Sequence, residues 1–203
     1  MQYTTLSNGI QMPLLGYGVF QVPPQEAERC VADALSVGYR LIDTAQAYNN
    51  EEGVGAAIAK SGISREDIFL VTKVWISNNG EAKAAASIDE SLRKLQTDYI
   101  DLLLIHQAYG DVYGIVKNET LAAIGAKYGK SAAQVALRWL TECGIATIPK
   151  SSHKERMAQN FNIFDFTLTA DEMQLIATLN EHDEGLINFQ DPQFVKYLIE
   201  TYG

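Results

Sequence analysis

Apolar and polar positions follow two rhythms along the first hundred residues of the chain. Short continuous apolar runs at Leu41-Ile42, Ile68–Val71 and Tyr99–Ile105 alternate with stretches whose apolar positions recur every three or four residues. Continuous runs of that kind fit strands of a parallel sheet covered on both faces, and the helical stripe fits amphipathic helices. Residues 25–37 carry such a stripe at Ala27, Cys30, Val31, Ala34 and Leu35, closed by Gly38. Further helices are predicted at about 50–60, ending at Ser61-Gly62, and at about 81–96, where Ile88, Leu92 and Leu95 share one side. Strand and helix in strict alternation, at intervals of roughly 30 residues, predict βαβ units and a parallel sheet.

Both ends depart from this rhythm. Residues 3–15 read as a hairpin with Ser7-Asn8-Gly9 at its turn. Gly16-Tyr17-Gly18 lacks the third glycine of a dinucleotide fingerprint and reads better as a glycine-loosened strand end. After His106, residues 107–118 carry little periodicity. A helix is then predicted at about 119–128, and Ser131 with Gln134 forms a capping box for another reaching about 142. Ile145–Ile148 reads as a short strand, and Ser152 with Glu155 as a second capping box. Thr169 and Glu172 make a third, opening a helix over 170–180, with Leu168 placed to staple onto Met173. Residues 181–203 form a tail with one helical segment near Phe194, Leu198 and Ile199. Five βα-type strands result, near 14, 40, 70, 102 and 146, within one domain spanning 1–203.

Composition narrows the class. With 203 residues, 47% of them hydrophobic, the chain can bury one sizeable core. A net charge of −9 argues against nucleic acid or an anionic membrane as partner. The first residues resemble no signal peptide, and no apolar run reaches the roughly 20 residues of a spanning helix. Cys30 and Cys143 lie far apart, as expected of a reducing compartment, so a soluble cytoplasmic protein is expected. Three histidines without a Cys or His cluster make a metal site an unexpected feature.

The strand ends carry the chemistry. Leu41-Ile42 ends in Asp43, with Tyr48 five residues on; Ile68–Thr72 ends in Lys73; Tyr99–Ile105 ends in His106. Ionisable groups at strand ends gather at the mouth of an α/β sheet or barrel. A lysine beside a tyrosine is expected to pull the phenol pKa down from about 10, a carboxylate holds the lysine charged, and a neutral histidine orients a carbonyl. Such a group suits proton donation to an oxygen that becomes an alkoxide, as in hydride transfer from a nicotinamide. Taken singly, Asp43 also reads as a turn residue, Tyr48 as a surface tyrosine, Lys73 as a solvated strand end and His106 as a core histidine. Further on, Lys150 and Ser151 precede a helix start and Arg156 lies inside it, an arrangement that attracts a phosphate monoester. An ordinary capped surface helix with incidental charges is the alternative.

The successive segments Leu15–Gly18, Arg40–Tyr48, Val71–Trp75 and Asp101–His106 resemble, in order, the motifs of the aldo-keto reductases, and Ile148–Ser151 with Arg156 and Asn160 resembles that family's late cofactor motif. The resemblance implies an α/β fold of (β/α)8 TIM-barrel type and NADPH-dependent reduction of a small-molecule aldehyde or ketone. It implies Tyr48 as general acid, Asp43 and Lys73 tuning it, and His106 orienting the carbonyl. Gly18, Val19, Lys150, Ser151, Arg156 and Asn160 would hold NADPH (NADP), with Phe20 and Trp75 in the substrate pocket.

The chain departs from that pattern after Tyr113-Gly114, where the segments for strands five to seven are missing. Those segments supply the family's carboxamide contacts, nicotinamide-stacking aromatic and part of the pyrophosphate cradle. Ala108 also stands where the family often has proline. An incomplete barrel with an internal deletion near 114–118 is therefore expected, and five strands cannot close as eight. The open edges are expected to meet each other or to pair a second copy in a homodimer. Two functions follow: a working carbonyl reductase, or a catalytically inactive truncated barrel that at most binds nucleotide or a partner chain.

Overall fold

The computed structural model describes residues 1–75, 78, 81–105 and 118–179. Strands β1 (Tyr3–Thr5) and β2 (Gln11–Pro13) pair antiparallel, with Tyr3 opposite Pro13. Gly9, at φ 85°, makes the turn that the Ser7-Asn8-Gly9 run predicted.

The chain then enters a parallel sheet. Strands β3 (Tyr17–Gly18), β4 (Leu41–Asp43), β5 (Phe69–Val74) and β6 (Leu102–Ile105) lie side by side in that order. Helices α1 (Pro24–Val37), α2 (Glu51–Lys60) and α3 (Glu81–Leu95) provide the crossovers. On the far side of β3 the segment around Thr147 adds a parallel bridge. The N–H of Thr147 donates to Leu14 O (2.7 Å), and the N–H of Gly16 donates to Thr147 O (2.8 Å). The strand expected at 145–148 is thus reduced to one bridge at the edge of the arc.

Register assigns the two faces. Gly18, Asp43, Val71 and Leu102 are aligned across the four strands, so they share a face with Lys73, two residues beyond Val71. This inner face holds a small core of Leu41, Phe69 and Val71, against which Leu6 and Met12 from the hairpin region pack like a plug. The other face carries Tyr17, Ile42 and Leu70 into a much larger core with Ala27, Val31 and Val54 of the covering helices. A third core joins α4 (Glu119–Tyr128), α5 (Ala132–Glu142) and α7 (Ala170–Ala177) through Leu121, Ile124, Val135 and Ile176.

The capping boxes at Ser131/Gln134 and Thr169/Glu172 form reciprocally, as predicted. The one expected at Ser152/Glu155 does not. Helix α6 (Lys154–Phe161) starts after His153 with no side-chain cap. Ser151 instead accepts the His153 N–H (3.1 Å) while its own carbonyl is held by the Tyr17 hydroxyl (2.5 Å). Anchored there, the chain turns through Ser151 and enters the helix one residue too late for Ser152 to cap it.

The second correction concerns β6. Its apolar run predicts a buried strand, yet Leu103 and Leu104 are 38% and 40% exposed and Ile105 is 77% exposed. Strand β6 is the last in the sheet order, so one edge has no strand neighbour among the described residues. Predicted features in residues 106–117 and 181–203, the segment near Phe194 among them, lie outside the described residues. Among the described residues no helix is long and apolar enough to cross a membrane.

Candidate active site

Inner-face alignment brings two of the predicted side chains together at the C-terminal ends of β4 and β5. Lys73 Nζ lies 2.7 Å from Asp43 Oδ1 and donates a second bond to Thr44 O at 2.9 Å. Both side chains are largely buried, so solvent screens the pair little. Tyr48 arrives from the following turn. Ala45 is extended, Gln46–Tyr48 form one 3₁₀ turn, and Asn49 ends it in the left-handed region (φ 53°), which asparagine tolerates well. The turn sets the Tyr48 ring 5.3 Å from the Lys73 ammonium, measured to the ring centre. The Phe20 ring packs on the outer side of Tyr48 with centres 5.2 Å apart.

Protonation departs from the expectation for Tyr48. Burial, then the negative charge of Asp43, push its pKa up to about 12 rather than down. The lysine that was expected to lower it is engaged by Asp43 and the Thr44 carbonyl. Asp43 itself is pushed above the usual carboxylate value by burial, against the pull of Lys73. Tyr48 is therefore a neutral phenol carrying a proton at working pH. Asp43, Lys73, Tyr48 and Phe20 are brought together; His106 lies outside the described residues.

The late motif is gathered by β3. A Cβ on Gly18 would stand 3.1 Å from Ile148 Cγ2 and from Ile148 O, so the missing side chain lets the 148–151 segment approach. Ser151 is buried there, and Lys150, Arg156 and half-buried Asn160 lie along the start and body of α6. Lys150 and Arg156 enter no ion pair among the described residues. The first N–H groups of α6 likewise have no side-chain cap. Two unpaired cations beside an uncapped helix start suit a phosphate monoester. Val19 differs from its neighbours: its side chain is fully buried against the helices, and its backbone N–H reaches Asp43 O at 3.1 Å.

Polar residues that sequence reasoning passed over support this site. Asn50 donates to the carbonyls of Val19 (2.9 Å) and Val22 (3.1 Å) and accepts from the Thr44 hydroxyl (2.9 Å), tying β3 to β4. Buried Glu51 accepts from the hydroxyls of Thr72 (2.7 Å) and Ser91 (3.4 Å), tying β5 to α3. The only sequence signal was the cluster Asn49-Asn50-Glu51-Glu52 itself, which looks like an ordinary polar loop.

The model of the "Aldo/keto reductase family" matches residues 14–117 and 113–181. This chain belongs to the aldo/keto reductase family. By family it is an oxidoreductase, and its fold is of the (β/α)8 barrel type, here incomplete. An aldo-keto reductase of Mycolicibacterium smegmatis is 33% identical over 253 aligned positions, covering 86% of this chain and 92% of that protein. A glyoxal reductase of Bacillus subtilis is 32% identical, covering 88% of this chain and 92% of its own length. Among solved structures, an aldo/keto reductase from Brucella melitensis superposes with a TM-score of 0.84 at 33% identity, covering 88% of this chain and 99% of that one. A putative 2,5-diketo-D-gluconic acid reductase B gives 0.86 at 32%, covering 94% and 95%. The two matched segments of the family model meet at 113–117. In the M. smegmatis alignment, 86% of 203 residues is about 175, so roughly 78 of the 253 positions hold no residue of this chain.

Proposed function

We propose that this reductase-family chain reduces small aldehydes or ketones to alcohols, with NADPH as hydride source and Tyr48 as proton donor. The observation that carries the reading is the Lys73–Asp43 pair at 2.7 Å with the Lys73 ammonium 5.3 Å from the centre of the Tyr48 ring. NADPH, when bound, supplies the hydride to the carbonyl carbon. As that carbon gains the hydride, its oxygen takes up negative charge and accepts the Tyr48 hydroxyl proton. The phenolate left behind faces the Lys73 ammonium, which stabilises it until solvent returns a proton. Asp43 keeps Lys73 in place and charged, and His106 orients the carbonyl. Lys150, Ser151, Arg156 and Asn160, with Gly18 beside them, would hold the nucleotide, the unpaired Lys150 and Arg156 favouring NADPH over NADH. The glyoxal reductase of B. subtilis and the methylglyoxal reductase DkgA of Salmonella typhimurium carry names that support a small carbonyl substrate.

A second reading is favoured by the edge of β6, which has no strand neighbour among the described residues, and by the roughly 78 positions of the M. smegmatis alignment that hold no residue of this chain. It is a catalytically inactive barrel shortened by an internal deletion that at most binds nucleotide or a partner chain. Titration with NADPH and NADH in parallel, followed by quenching of Trp75 and Trp139, separates the cases. Saturable binding that prefers NADPH, with turnover on an aldehyde panel, is expected. Binding without turnover, or no binding to either cofactor, sinks the reductase reading and leaves the second.

A further inference from the structure

Gln46 opens the turn that delivers Tyr48, and its side chain uses every hydrogen-bonding position an amide has. Oε1 accepts from the backbone N–H of Trp75 (2.9 Å) and from Asn78 Nδ2 (3.0 Å). Nε2 donates to the backbone carbonyl of Ser87 (3.0 Å) and to Ser91 Oγ (3.1 Å). A backbone N–H can only donate and a backbone carbonyl can only accept, so these two partners fix which end of the amide is oxygen. Ser91 passes the network on by donating to buried Glu51, which holds the Thr72 hydroxyl next to Lys73. One side chain therefore joins the Tyr48 turn, the end of β5 and helix α3.

We propose that Gln46 is a positioning residue that fixes the Trp75 backbone at the end of β5 relative to the turn carrying Tyr48, and thereby determines how a carbonyl substrate fits the site. This rests on the reductase reading for its catalytic consequence. Its structural part is independent of that reading. A side chain at the start of the turn is well placed for the task, because no other described side chain bonds both the Trp75 backbone and α3. The amide borders an open cleft of about 520 Å³ shared with Trp75, Asn78 and Ser87. Water in that cleft can reach the Trp75 N–H once Oε1 is removed.

Two variants decide it. Gln46→Leu removes all four bonds at similar volume. Gln46→Glu keeps an oxygen for the Trp75 N–H but loses the donation to Ser87 O. Amide hydrogen exchange at Trp75 is expected to rise about tenfold in Gln46→Leu and to stay near wild type in Gln46→Glu, while the central strands keep their protection. In the active enzyme, Gln46→Leu should raise KM for the aldehyde more than it lowers kcat, with NADPH binding unchanged. Unchanged Trp75 exchange in Gln46→Leu overturns the proposal, as does equal loss of NADPH and aldehyde affinity. If the wild-type chain shows no turnover, the reductase reading fails and the exchange result alone decides the positioning role.

Discussion

Strands β5 and β6 are adjacent, parallel and mainly apolar, yet their surroundings differ sharply. Five of the six residues of Phe69–Val74 are buried, whereas three of the four in Leu102–Ile105 are exposed. Strand β5 has β4 on one edge and β6 on the other, helices over one face and the hairpin plug near the other. Among the described residues, strand β6 has β5 on one edge only. Apolar sequence makes a strand ready to be buried, and its neighbours decide whether it is. The candidate site follows the same line: Lys73, on the enclosed strand, is locked to Asp43.

Breaking the enclosed side should have the largest effect. Lys73→Met strips the counter-ion from a buried carboxylate, so a stability loss of about 3–5 kcal/mol is expected by chemical denaturation. It also removes the cation facing the phenolate, and reductase turnover should fall by about 10² or more. The packing contrast is tested directly by Leu70→Ala on β5 and Leu103→Ala on β6. The first should cost about 2–5 kcal/mol in urea unfolding and the second less than about 1 kcal/mol, since Leu70 is fully buried and Leu103 is not. Equal losses would mean that β6 is covered in solution.

Smaller effects sharpen the picture. Tyr48 has a higher pKa folded (about 12) than unfolded (10.0), so the folded state holds that proton more tightly. Its contribution is complete below pH 10 and disappears as pH rises through the folded value. Tyr17 and Tyr39 are shifted upward by burial and act in the same direction. Melting temperature should therefore decline from pH 10 upward, and Tyr48→Phe should lessen that decline. The smallest change in stability is expected from Ile105→Lys, within about 0.5 kcal/mol of wild type. Its effect should instead appear in sedimentation velocity: a charge on an edge strand suppresses self-association through β6. Identical sedimentation of wild type and variant at all concentrations would remove a second copy from that edge.

Much of this architecture was legible beforehand. The helices at 24–37, 51–60, 81–95 and 119–128 fall within a residue or so of their periodic patterns, because a helical stripe is a property of neighbouring residues. The Ser131 and Thr169 boxes were legible for the same reason, each closing over three residues. Ser152 was misread because a contact from Tyr17, far away in the chain, holds Ser151 and moves the helix start. Gln46 was invisible as a hub: its partner Ser87 lies 41 residues away, and nothing in a glutamine says what it will bond.

By itself, the sequence determined which chemical groups the chain owns, the order of its elements and the strand ends from which Asp43 and Lys73 project. Those are consequences of local periodicity and of side-chain identity. Only the tertiary structure decided that Lys73 is engaged by Asp43, that burial favours a protonated Tyr48, and that Leu103–Ile105 are exposed. Each depends on desolvation and on contacts between segments distant in the chain, and free energies of that kind exist only once the neighbours are in place.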